Sequence, residues 1–134
     1  MIANTAEVNE AATRMTYLRI YVDADGATHF DDHRVAMTAG VYVPGIPLVD
    51  SAAPLSVTML TLSRLEPGYT SDWHPAPRRQ FVFVLSGAVE ITVSDGETRS
   101  FGPGSVVLVE DTVGAGHQTR ALGSGECLFA AIAV

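Results

Sequence analysis

The sequence predicts an all-β domain, on two observations: short apolar runs closed by glycine or proline turns, and no long window with a 3.6-residue apolar period. The first run is Tyr17 to Val22, rich in aromatic and β-branched residues, and it ends at Asp25-Gly26, a hairpin signal. His29, Phe30 and Asp31 follow on a returning strand. Residues 35–43 are mixed, and Pro44, Gly45, Pro47 and Pro54 mark a loop that carries exposed apolar residues. Strands are then predicted from Val57 to Leu65, stopped by Pro67-Gly68, and from Gln80 to Leu85, stopped by Ser86-Gly87. Val89, Ile91 and Val93 alternate with Glu90 and Thr92 up to Asp95-Gly96. Val106 to Val109 follows the turn Gly102-Pro103-Gly104, and Leu128 to Val134 is the last run. This punctuation is that of a sandwich or a barrel.

Length allows one domain, expected over residues 17–134 behind a polar, Ala-rich arm at 1–16. A formal charge of −7 repels phosphate backbones, which argues against nucleic acid as a partner. The chain has no lysine, so neither a Schiff-base lysine nor a phosphate-loop lysine is available. No stretch is long enough to cross a membrane as a helix, and Glu7 and Glu10 do not suit a signal peptide, so a cytoplasmic protein is expected. The single cysteine, Cys127, lies in an apolar run and reads as an inert core thiol.

The most informative segment runs from Gly68 through His74, Ala76, Arg78 and Gln80 to Gly87. With the strand that follows, it resembles the first motif of the cupin superfamily, in which two glycines frame two histidines and a glutamate. Both glycines and the first histidine, His74, match that spacing. Ala76 stands where the second histidine is expected, and Gln80 where the glutamate is. Gly102-Pro103-Gly104 and the strand after it are similar to the start of the second motif. His117 falls about two residues later than the pattern places its histidine, on a longer loop. The resemblance covers roughly residues 57–134 and implies a single jelly-roll β-barrel enclosing a pocket. It also implies a homodimer, with which the apolar 41–55 stretch is compatible.

Alternation along a strand puts Gln80, Val82 and Val84 on one face. If that face is interior, Gln80 needs a polar partner, and His74 and His117 are the candidates, with Arg78 at the rim. In the resembled family, three histidines and a glutamate hold iron, manganese, nickel or zinc. Here His74, Gln80 and His117 form a reduced set that holds such a metal weakly or not at all, with His29 or Asp111 as possible additional ligands. Without a metal, His74 and His117 are candidate general acid and base, Gln80 orients a carbonyl or hydroxyl, and Arg78 attracts an anionic group. Glu110 and Asp111 read as loop caps, Arg79 as solvated, and Trp73 and Tyr69 as packing at the barrel end. The expected function is non-redox chemistry on a small molecule: isomerisation, elimination or cyclisation. A metal-dependent enzyme such as a dioxygenase and a non-catalytic ligand-binding domain are the alternatives.

Overall fold

A computed structural model describes residues 15–134, and within them every regular element is a strand. They are β1 (Thr16–Val22), β2 (Thr28–Arg34), β3 (Thr38–Gly40), β4 (Val49–Ser51), β5 (Met59–Leu65) and β6 (Gln80–Ser86). There follow β7 (Ala88–Val93), β8 (Thr98–Phe101), β9 (Val106–Val109), β10 (His117–Leu122) and β11 (Cys127–Ala133). Most of the arm expected at 1–16 lies outside the described residues, and β1 already begins at Thr16. No helix among the described residues is long and apolar enough to cross a membrane.

The strands form a six-stranded sheet in the order β2-β1-β9-β6-β11-β5, a three-stranded sheet β10-β7-β8, and a small ribbon of β3 with β4. Only β1 with β9 runs parallel; the other pairs are antiparallel. The all-β class expected from the sequence holds, the strands pair as a sandwich of sheets, and no ladder closes them into a barrel. The ladders stop at β2 and β5 on the large sheet and at β10 and β8 on the small one. Isolated bridges at Thr70–Arg120 and His74–His117 tie the 66–79 segment to β10 without making a continuous ladder.

One apolar core fills the space between the sheets. The large sheet supplies Leu18, Ile20, Val84, Val107 and Val109, and the small sheet supplies Val89, Ile91, Val93 and Phe101. The period-2 pattern explains this division. On β7 Val89, Ile91 and Val93 are buried, while Glu90 and Thr92 between them are half-exposed. On β6 the alternation sorts two environments: Gln80, Val82 and Val84 line the interior cavity, while Phe81 and Phe83 line a groove with Tyr17 and Ile132 on the outer face. The segment between β3 and β5 leaves Val41, Tyr42, Leu48 and Leu55 exposed, as its proline-rich sequence suggested.

Gly87 shows why a turn after β6 requires glycine. Its φ is +74°, and a Cβ there would lie 2.2 Å from the Glu126 carbonyl oxygen. The turn therefore lets the start of β11 pass close behind β6.

Candidate active site

The space between the sheets holds a cavity of about 240 Å³. Its wall is aliphatic and aromatic, with Leu65, Val82, Val84, Ile91, Val107 and Phe129 among its residues. Its lining residues with polar side chains are His74, Gln80, His117, Thr119 and Tyr69. Gln80 reaches it because β6 pairs with β9 in a register that sets Gln80 opposite Val109 and Val82 opposite Val107, all four lining the cavity.

His74 and His117 come from different parts of the chain and are fixed to each other through their backbones. The His74 N–H donates to the His117 carbonyl at 3.1 Å, and the His117 N–H donates back to the His74 carbonyl at 3.0 Å. The two rings lie 4.8 Å apart, tilted by 56°. His117 is the first residue of β10, so the longer loop before it delivers the histidine to a strand end. Gly116 makes this approach possible: its φ is +73°, and a Cβ there would meet the His74 carbonyl at 2.2 Å. The Gly116 carbonyl is held in turn by the buried Thr28 hydroxyl, which donates to it at 2.6 Å.

Each ring is held by its Nδ1. That of His74 is 2.8 Å from the Asp72 carbonyl oxygen, which only accepts, so this nitrogen carries a proton. That of His117 is 2.6 Å from Oδ2 of Asp111, which is fully buried. In the neutral form of either ring Nε2 is then the bare, basic nitrogen. Asp111 is anchored by its own backbone, whose carbonyl accepts from the N–H of Ala76. Its other oxygen, Oδ1, is buried with no hydrogen-bond partner. The sequence reading of Asp111 as a loop cap is thus replaced by a carboxylate that orients His117. The available signal was the spacing Asp111–His117 around three glycine or alanine residues at 114–116.

Other expectations shift as well. Arg78 is exposed and does not line the cavity. Arg79 is half-exposed and donates to Glu110 at 2.7 Å. Glu110 also pairs with Arg19, so it bridges two arginines instead of capping a loop. Burial pushes the Glu110 carboxyl up, but the bonds from Arg79 and Arg19 outweigh it and hold it below the usual carboxylate range. His29 is not a ligand of the pocket. It lies between Asp23 at 2.7 Å and Asp95 at 2.8 Å, and bonds from Asp23 first and Asp95 second raise it above the usual histidine range. Tyr69 does line the cavity, whereas Trp73 is half-exposed and does not. Cys127 is buried in the cavity wall, and burial pushes its thiol up, which agrees with an inert core residue.

The donors in the cavity lining do not fit a resident divalent metal. They are two imidazoles and one amide, without a carboxylate to offset the ion's charge. Asp111 is engaged behind His117, and Ala76 has no donor atom to give. Among the described residues no three His, Cys, Asp or Glu side chains converge as a metal-holding group.

The family model described as "Cupin domain" matches residues 61–133, the part of the chain that contains His74, Gln80, Asp111 and His117. A search of curated proteins returned no match. Among solved structures, the chain is similar to a Cupin 2 conserved barrel domain protein from Salinispora arenicola, with 18% identity over 100% of this chain and 91% of that one and a TM-score of 0.45. It is similar to a sugar phosphate isomerase of the cupin superfamily from Silicibacter pomeroyi at 18% identity, 94% and 73% coverage and a TM-score of 0.44. A cupin domain from Schizosaccharomyces pombe matches at 14% identity, 92% and 87% coverage and a TM-score of 0.46. The family match spans more than half of the sequence and includes both histidine-bearing segments, and on that evidence this chain belongs to the cupin family.

Proposed function

We propose that this cupin is a small-molecule enzyme that moves protons without redox chemistry, by isomerisation, elimination or cyclisation. The observation that carries this reading is the Asp111–His117 hydrogen bond at 2.6 Å, with the His74 ring 4.8 Å from that of His117 and both rings lining a largely apolar cavity. His117 acts as the general base through Nε2. The Asp111 carboxylate fixes its tautomer and compensates the charge that the ring acquires with the proton. His74, whose Nδ1 is backed by a neutral carbonyl, returns a proton in its protonated form. Gln80 orients a carbonyl or hydroxyl of the substrate by its amide.

The test uses 5-nitro-1,2-benzisoxazole, an uncharged bicyclic compound. A base that removes its ring carbon-bound proton breaks the N–O bond and releases a coloured cyanophenolate. The wild-type protein is expected to accelerate this opening, and His117→Ala to lose about a hundredfold or more of that rate while keeping its fold by circular dichroism. Equal rates in the two proteins would overturn the assignment. A protein that binds the compound and leaves it unopened would be a binding domain.

We also propose a homodimer. β5 is an edge strand with Leu60 and Leu62 exposed, and Val41, Tyr42, Leu48 and Leu55 add further exposed apolar surface.

A further inference from the structure

We infer that the cavity takes a small uncharged molecule, apolar over most of its surface with one hydrogen-bonding end, and rejects carboxylates and phosphate esters. The inference rests on the acid/base reading above for which end of the ligand reacts, but its binding argument stands on the cavity wall.

Size comes first. An apolar cavity of about 150 Å³ accommodates benzene. The cavity here is about 240 Å³, which suits two fused rings or an aliphatic chain of similar bulk. Aliphatic and aromatic side chains from both sheets surround that volume, so a ligand gains by burying apolar surface. Residues with polar side chains (His74, Gln80, His117, Thr119 and Tyr69) are a minority of the lining, so a ligand with polar groups along its whole length would leave several of them unpartnered.

Charge decides the rest. Among the described residues no arginine lines the cavity, and the chain has no lysine. Arg19, Arg64, Arg79, Arg99 and Arg120 are committed to carboxylates outside it, at Glu110, Glu126, Glu110, Asp32 and Glu90 respectively. Arg34 lines the outer groove and Arg78 is exposed. The cations that the cavity itself can offer are its two imidazoles in protonated form, and Asp111 already stands against one of them. An anion entering here gives up its hydration without a guanidinium or ammonium in exchange.

The experiment compares 2-acetylnaphthalene with 2-naphthoate, two bicyclic compounds of equal heavy-atom count, by calorimetric titration at pH 8, where free imidazoles are mostly neutral. The ketone is expected to bind at least tenfold more tightly than the carboxylate. Gln80→Arg, which adds a guanidinium to the cavity lining, is expected to narrow or reverse that ratio. Equal or tighter binding of naphthoate by the wild-type protein, or binding of neither compound, overturns the inference. The two readings fail separately. Loss of the acid/base reading leaves the ketone preference intact, and loss of the ligand class shows as naphthoate binding even where the benzisoxazole is opened normally.

Discussion

The carboxylate of Asp111 and the imidazole of His117 form a buried pair at 2.6 Å, six residues apart in sequence, and that pair engages Nδ1 of the ring and leaves Nε2 as its other nitrogen. Replacing Asp111 by Asn keeps the shape but removes the charge that compensates a protonated ring. The expected outcome is a loss of about tenfold to a hundredfold in benzisoxazole opening, with binding of 2-acetylnaphthalene unchanged. Asp111→Ala leaves the buried His117 Nδ1–H without its acceptor and is expected to destabilise the fold by about 1–3 kcal/mol, read by urea unfolding. Full activity in Asp111→Asn would remove the carboxylate from the mechanism.

Gly116 is where the backbones of the two histidine segments touch. Ala at this position combines a φ of +73° with a Cβ overlapping the His74 carbonyl. Gly116→Ala is expected to cost more than about 1 kcal/mol in stability. It is also expected to part the two rings, lowering kcat for benzisoxazole opening more than KM rises. A variant as stable and as active as the wild type would mean that the close approach is not needed.

The His29 cluster, outside the cavity lining, gives a pH dependence of its own. His29 is raised by its bonds to Asp23 and Asp95. Its contribution to stability is therefore complete below about pH 6.5, where the unfolded side chain is also charged, and fades as pH rises through the higher folded value. Asp23 is lowered, first by the His29 bond, and Asp95 first by the Glu97 backbone N–H and then by His29. Their contribution is present above about pH 4 and disappears as pH falls through their lowered folded values. His29→Gln should thus lower Tm most near pH 5 and progressively less towards pH 9. A difference that stays constant across that range would show that the cluster is not ionised as described.

For the dimer, sedimentation equilibrium should report twice the chain mass. Leu60→Lys combined with Leu62→Lys, both on the edge strand β5, should shift the population to monomer without loss of β-sheet signal. A wild-type protein that sediments as a monomer at micromolar concentration would dispose of the proposal.

The sequence by itself determined the β-rich chain, most of its strands and the inward face of β6. Those features are local: alternation places Gln80, Val82 and Val84 together, and turns such as Ser86-Gly87 and Asp95-Gly96 punctuate the strands. It also determined that the usual cupin ligand set is incomplete, because Ala76 and Gln80 are read directly. It did not reveal β3, β4, β8 or β10, which are short or polar and take their form from their partners. Nor did it show that the ladders end as two sheets. The bond of Asp111 to His117, the outward placement of Arg78, and the diversion of His29 to Asp23 and Asp95 were decided only by the tertiary structure. Each depends on which backbone passes close to which, a long-range relationship that a linear pattern of residue types does not encode.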